Sequence, residues 1–309
     1  MSLPVISIIM PVFNAAATLD DTLNAVLAQS VREFELIIID DGSTDDSLSR
    51  LKVYAAQDPR IRLVARDNAG VSSARNLGVE LGRAPFIAFI DADDIWTADK
   101  LERHLTCHAA APNLAASYAR IGFLPQEARA MAACKTVSSL SASPLALIDV
   151  LGENPVCTMS NLFVRRDWFF KTNGFDVGLS HAEDQDFLAQ LLARGADIRG
   201  IDAVLVGYRF SPDGLSMDLD RMRAGWQRVA ERHLEGPALS SLQALYARYL
   251  ARRTLRSGGP PLKALSYALG GLKIDAATFL ADRRRGLGTL AGVLLAPFLP
   301  RALRRQIFA

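Results

Sequence analysis

Residues 86–94 read Phe-Ile-Ala-Phe-Ile-Asp-Ala-Asp-Asp, an apolar run ending in three carboxylates, Asp91, Asp93 and Asp94. Acids packed at a strand end repel one another unless something positive joins them. A divalent cation such as Mg2+ or Mn2+ would do so, since it takes oxygen ligands and often shares them with substrate phosphates. A plainer account makes Asp94 the cap of a helix starting near Thr97. A cap accounts for one acid and leaves two.

Other clusters share this character. The segment Ile39-Asp40-Asp41-Gly42-Ser43-Thr44-Asp45 again puts acids directly after an apolar run. Gly42 permits a tight turn, and Ser43 or Asp45 can cap the next helix. Asp40 and Asp41 exceed what capping needs, and a carboxylate there can accept from a nucleobase N–H or a ribose hydroxyl. Upstream lies Pro11-Val12-Phe13-Asn14, where Phe13 either stacks on a base or belongs to the core. Asn68-Ala69-Gly70-Val71-Ser72-Ser73-Ala74-Arg75-Asn76 leads into a helix whose N-terminus can face an anion. Arg75 suits a diphosphate, or equally a surface ion pair. The loop is neither the dinucleotide fingerprint nor a P-loop. Further on, His181-Ala182-Glu183-Asp184 opens a helix. Its acids either complement the helix dipole or supply a base for a hydroxyl proton.

These clusters sit at the ends of predicted elements. Val5–Met10, Leu36–Ile39, Ile61–Ala65 and Phe86–Ile90 read as strands, with helical spacing at Leu19, Leu23, Val26 and Leu27 and at Leu48 and Leu51. That alternation predicts a parallel sheet covered on both faces. In such sheets ligands gather at the carboxyl ends of strands. Residues 120–145, with Gly122, Pro125 and Pro144, read as a mobile loop. Asn161–Val164 reads as a strand, Asp186–Arg194 as a helix stopped by Gly195, and Ile198–Tyr208 as a strand. Beyond about Asp218 the pattern is helical, with a break at Gly258–Pro261.

The chain's 309 residues, 50% hydrophobic and 22% charged, suffice for a sizeable core. Its three cysteines, Cys107, Cys134 and Cys157, form no CxxC, which argues against a zinc site or disulfide framework and fits a reducing cytoplasm. The N-terminus, broken by Pro4 and Pro11, reads as a strand and not a signal peptide. The net charge of +2 hides an asymmetry: residues 1–220 carry 19 Lys/Arg against 29 Asp/Glu, and residues 221–309 carry 16 against 4. The arrangement suggests chemistry in the acidic body and an anionic partner for the basic tail.

Taken in order, Ile8–Asn14, Ile39–Asp45, Ser73-Ala74-Arg75-Asn76-Leu77-Gly78, Asp91-Ala92-Asp93-Asp94 and Glu183-Asp184 resemble the family 2 inverting glycosyltransferases of the bacterial exopolysaccharide and cell-surface glycan type. The resemblance covers about residues 5–210. It implies an α/β fold of the GT-A, Rossmann-like kind with a mainly parallel central sheet, to which this chain adds a helical C-terminal extension. It implies a nucleotide-sugar half at 1–104, an acceptor half with the catalytic base at 105–217, and leaves 218–309 as a basic helical region. Asp41 would bind uracil, with Pro11 and Phe13 lining the base pocket and Asn14 and Arg75 beside the donor. Asp91 and Asp93 would be the DXD element holding Mg2+ or Mn2+, with Asp94 adjoining. Asp184 would be the base. Glu183, His181 and Trp96 are candidates for acceptor contact; Trp96 and Trp168 can stack on sugars or fill the core. Phe13 stands where the family often has tyrosine.

The implied reaction moves a sugar from a nucleotide sugar, with UDP favoured over GDP or dTDP, to a hydroxyl of a lipid-linked glycan. A non-catalytic sugar-nucleotide-binding subunit and a nucleotidyltransferase are the competing readings. In the tail, Gly286–Pro300 is uncharged, with Leu287, Leu290, Leu294 and Phe298 at helical spacing between Arg283–Arg285 and Arg301, Arg304 and Arg305. The run is too short to span a bilayer but can lie in its interface, and Arg248, Arg252 and Arg256 form a second stripe. The expected placement is cytoplasmic and peripheral, on an anionic inner membrane face. Packing of the tail on the body is the alternative, and no nucleic-acid motif is present.

Overall fold

A computed structural model describes residues 3–134, 136–141, 144–209 and 218–300. The chain forms two compact units. One runs to Leu147 and resumes at Pro155; the other joins Ile148–Asn154 to the C-terminal helices.

In the first unit, β1 (Ile6–Val12) and β2 (Phe34–Asp41) are buried at every position. Near-continuous apolar runs have this consequence when both sheet faces are covered. Ser7, the polar exception in β1, donates to Glu35 Oε1 at 2.7 Å and accepts from the Ala84 amide at 3.1 Å. Helices α1 (Leu19–Leu27), α2 (Ser47–Gln57) and α3 (Val71–Leu81) alternate with β3 (Ile61–Arg66) and β4 (Phe86–Phe89). Strands β1 to β4 pair in parallel in the order β3-β2-β1-β4, so their carboxyl ends share one edge. Helix α3 approaches β1 closely at Gly78, where a Cβ would lie 2.4 Å from Ile9 Cγ2.

The chain continues with β5 (Ile95–Trp96), α4 (Lys100–Ala110), β6 (Ala116–Leu124), β7 (Thr136–Val137), α5 (Leu147–Gly152), β8 (Phe163–Arg165), α6 (Arg166–Phe169), α7 (Glu183–Ala193) and β9 (Ile198–Arg209). Past β4 the sheet order is β8-β6-β9-β5, with β8 antiparallel to β4 and β6 parallel to β9. The expected loop over 120–145 therefore begins as a central strand. Arg120 and Gly122 broke the apolar pattern there; Arg120 pairs with Asp202, and Gly122 leaves room for Cys134.

The second unit holds α8 (Leu219–His233), α9 (Gly236–Arg256), α10 (Pro261–Leu280) and α11 (Arg283–Leu295). The expected break at 258–261 separates α9 from α10. Trp226 stacks on Tyr246 with ring centroids 4.1 Å apart and donates to Leu151 O at 2.6 Å. The expected Arg248–Arg252–Arg256 surface stripe is corrected here. Arg248 is buried and donates to Phe279 O, and Arg248, Arg252 and Arg285 all surround Glu153. Only Arg256 of that stripe remains exposed. Among the described residues no helix is long and apolar enough to cross a membrane.

Candidate active site

The shared edge of β1 to β4 carries the sequence clusters together. Phe13, just past β1, is 53% exposed and presents a ring to solvent, while Pro11 is buried within the strand. Asn14 has φ 51°, and its Oδ1 accepts from the Thr44 amide at 2.7 Å. Asn14 thus braces the loop after β2. Gly42 turns that loop at φ 80°, where a Cβ would lie 2.8 Å from the Asn68 nitrogen.

Asp41 is 3% exposed, and most of its bonding capacity is used within the protein. Oδ1 meets the Arg66 guanidinium at 2.7 Å and the Ala69 amide at 3.1 Å; Oδ2 accepts from the Gly70 amide at 2.8 Å. The carboxylate therefore shapes the loop entering α3. Its neighbour Asp40 keeps a buried Oδ1 without a partner. Sequence reasoning missed Arg66, which lies at the end of β3 opposite Asp41 in register.

The acids after β4 do not converge on one point. Asp94 turns inward, accepting from the Arg209 amide at 3.2 Å and Thr158 Oγ1 at 3.3 Å. It is neither a helix cap nor open to a ligand. Burial, with Asp93 and Asp91 adding, holds its carboxyl well above the usual carboxylate range. The Asp91 amide donates to Ser160 Oγ at 2.9 Å, and its carboxylate accepts from Thr158 Oγ1 on Oδ2 at 3.1 Å and from Arg75 Nη2 on Oδ1 at 2.7 Å. Asp93 is pushed up to about 6 by burial and then by Asp91, with Arg209 pulling more weakly the other way. Such a carboxylate gains from a nearby cation.

The described residues contain no group of three or more His, Cys, Asp or Glu able to hold a metal. The donor set available is Asp93 with part of Asp91, both hard oxygens. It fits a Mg2+ or Mn2+ ion whose remaining ligands are phosphate oxygens and water.

Arg75 links this cluster to the distant Glu-Asp pair. It is 4% exposed, bonding Asp91 at 2.7 Å and Glu183 Oε1 at 3.0 Å. The expected diphosphate contact is corrected to an internal bridge: the guanidinium is already committed to two carboxylates. Asp184 follows in the first turn of α7. Burial and the Glu183 charge raise its pKa to about 7, with Arg75 acting in the opposite direction. A carboxylate that titrates near neutrality is suited to proton transfer.

Two expected contacts fall away. Trp96 is 3% exposed, donates to Ser160 O at 2.9 Å and lies beneath Lys100 Nζ, so it is a core residue. His181 is buried, with Nδ1 3.2 Å from Ser180 Oγ. Trp168 is partly buried, with Lys171 Nζ 3.8 Å from its ring centre.

Three site loops carry non-glycine residues in the left-handed region: Asn14, Cys157 at φ 68° and Ala182 at φ 64°. Such conformations cost about 1–3 kcal/mol each and concentrate at functional sites. Cys157 precedes Thr158 and Ser160, which position Asp91 and were missed in the sequence. Their only signal was a Thr-Met-Ser-Asn cluster ahead of a short strand. Cavities of about 430 Å3, lined in part by Leu145 and Leu192, and about 150 Å3, lined in part by Trp226 and Tyr267, lie away from these acids.

Comparison with known proteins gives this edge a family. The model for glycosyl transferase family 2 matches residues 7–170. The putative teichuronic acid biosynthesis glycosyltransferase TuaG of Bacillus subtilis is 42% identical over 33% of this chain and 41% of its own. The UDP-Glc:alpha-D-GlcNAc-diphosphoundecaprenol beta-1,3-glucosyltransferase WfgD of Escherichia coli is 41% identical over 33% of this chain and 40% of its own. The chain thus spans about two fifths of the length of these relatives. Among solved structures, S. aureus TarS 1-349 in complex with UDP-GlcNAc matches at TM-score 0.61 and 17% identity, covering 94% of this chain and 81% of that one. The mannosyltransferase PcManGT of Pyrobaculum calidifontis, in complex with GDP-Man and Mn2+, matches at TM-score 0.60 and 18% identity, covering 99% and 88%. The strand order, the acids gathered at its carboxyl edge and the match over residues 7–170 together establish that the chain belongs to glycosyl transferase family 2 and has the GT-A fold.

Proposed function

We propose that this protein is an inverting, metal-dependent glycosyltransferase that uses a nucleotide sugar, with UDP as carrier, to extend a lipid-linked glycan of the cell surface. The observation that carries the reading is the Arg75 bridge, which brings Asp91 and Glu183 to one guanidinium although they lie far apart in sequence. The metal-binding and base motifs thereby serve a single centre. The activities for which TuaG and WfgD are named support the cell-surface and lipid-linked parts of the reading.

Phe13 offers its exposed face to the base, with Asp40 and Asp41 at the adjoining strand end. Asp93, assisted by Asp91, would hold the cation. A bound divalent cation would supply positive charge to the departing diphosphate. Asp184 takes the proton of an acceptor hydroxyl as its oxygen bonds to the anomeric carbon. The bond to the nucleotide oxygen breaks on the opposite face. One displacement converts an α-linked donor into a β-glycoside. Residues 1–104 then form the donor half and 105–217 the acceptor half, and the enzyme works peripherally on the inner membrane face.

The test is nucleotide release from UDP-, GDP- and dTDP-sugars with a membrane extract as acceptor source. Asp184→Asn should abolish release while retaining nucleotide binding. Undiminished turnover in that variant would remove Asp184 as base. Release of inorganic diphosphate in place of a nucleoside diphosphate would indicate nucleotidyl transfer.

A further inference from the structure

Helix α11 has two unlike faces. Gly286, Thr289, Gly292 and Val293 are buried, followed by Ala296 in the next turn. The other side exposes Leu287 at 56%, Leu294 at 61% and Leu295 at 58%, and Phe298 just beyond at 84%. At 3.6 residues per turn, Leu287 and Leu294 fall within about 20° of one another, and Phe298 follows in the 3-10 turn Ala296–Phe298 that continues the helix. Ala291, also exposed, lies among them. Single exposed apolar residues are ordinary on a protein surface; a continuous stripe of large ones calls for a partner.

The charges around the stripe identify that partner. Arg283 and Arg284 are exposed in the first turn of α11 and straddle the stripe on the helical wheel. Arg285 is drawn away to Glu153 and to Asp282, which caps the helix. Residues 283–309 hold six arginines and no Asp or Glu. A protein partner would have to match an apolar stripe with acidic flanks. A bilayer rich in anionic headgroups presents both features across its whole surface. The helix is too short and too sparsely apolar to cross one, so it must lie in the plane of the interface.

We propose that the Leu287–Leu294 face of α11, with Phe298 in the turn that follows, is a membrane-docking surface, seated in the acyl boundary of an anionic bilayer with Arg283 and Arg284 at the headgroups. The proposal deepens the membrane placement above and rests on that part of the reading. It also corrects the sequence-based choice of contact: the buried Arg248 and the paired Arg252 take no part.

The test is co-sedimentation of the full chain with vesicles of phosphatidylcholine alone and of phosphatidylcholine with phosphatidylglycerol. The parent should bind the anionic vesicles and bind neutral ones weakly. Leu287→Asp with Leu294→Asp should lower anionic-vesicle binding at least about tenfold, because two inserted side chains become charged. Arg283→Gln with Arg284→Gln should lower it about tenfold on anionic vesicles and leave neutral ones unchanged. All sites are exposed, and an unchanged melting temperature checks that each variant folds. A parent that ignores anionic vesicles, or a Leu287/Leu294 variant that binds them as well as the parent, overturns the proposal. A stripe variant that converts a dimer to a monomer in sedimentation velocity without altering vesicle binding assigns the face to a second copy instead. UDP binding should be the same in all variants, so failure here leaves the catalytic reading intact.

Discussion

Replacing Arg75 by glutamine removes a charge that two motifs share. The guanidinium is 4% exposed and makes contacts of 2.7 and 3.0 Å to Asp91 and Glu183. Removing one partner from a buried ion pair costs about 3–5 kcal/mol, and the lower end, about 3 kcal/mol, is expected here because the carboxylates left behind, Asp91 and Glu183, are only partly buried. Asp184 feels the same loss. Its pKa of about 7 already includes a lowering influence from Arg75, so the variant should move it up by about one unit, the lower end for an opposite charge nearby.

The sign of the stability change follows from linkage. Asp184 has a folded pKa above its unfolded one, so between about 4 and 7 the native state holds a proton that the unfolded state has lost. The parent therefore loses part of its stability as pH rises through that window. In Arg75→Gln the window extends higher. The deficit relative to the parent should be largest above pH 7 and smaller at pH 5. Urea unfolding at the two pH values measures it. In a nucleotide-release assay the acidic limb of the rate profile should move up by about one unit. The rate at pH 7 should fall about fivefold, as the deprotonated fraction of Asp184 drops from about one half to about one tenth, and recover at higher pH. An unshifted limb with a raised donor KM would refute this reasoning and place Arg75 on the donor itself.

Other outcomes follow from single contacts. Chelation by EDTA should stop nucleotide release, Mn2+ or Mg2+ should restore it, and Asp93→Asn should abolish the restoration; full turnover in EDTA would remove the metal from the proposal. Lys100 is fully buried, its Nζ has no hydrogen-bond partner, and burial lowers its pKa to about 7. Lys100→Met should stabilise the protein by about 1–3 kcal/mol. The parent's stability should rise from pH 7 toward 10.5 as its unfolded chain gives up the lysine proton, a slope that the variant should lack in thermal melts across that range. Gly78→Ala should destabilise by about 1–3 kcal/mol, since its Cβ would meet Ile9 Cγ2 at 2.4 Å. Ile9→Ala removes that Cγ2, so the double variant should lose less stability than the sum of the two single changes in chemical denaturation.

Much of the fold was legible because its signals are local. β1 and β2 are uninterrupted apolar runs, and a parallel strand buried on both faces needs nothing more from its sequence. The strand β6 was harder to read. Its buried positions accept alanine, serine and glycine because neighbouring strands supply the packing, the partly exposed Arg120 sits among them, and local pattern then carries little information. Trp96 shows the same limit. An aromatic after an acidic cluster can serve a sugar or a core, and the Ser160 carbonyl that receives its N–H is 64 residues away.

By itself the sequence determined which chemistry was on offer: carboxylates directly after strands, an arginine entering a helix, and a Glu-Asp pair opening another. These are properties of residue type and short spacing, which the chain fixes before it folds. Tertiary structure decided how the acids divide their work. It turned Asp94 inward onto Arg209 and Thr158, fastened Asp41 to the loop entering α3, and left Asp93 and Asp184 with raised pKa values. A carboxylate's role depends on its burial and on the charge beside it, and both are set by residues remote in sequence. The same reason separates Arg248, drawn into the helical unit beside Glu153, from Arg283 and Arg284, left facing solvent.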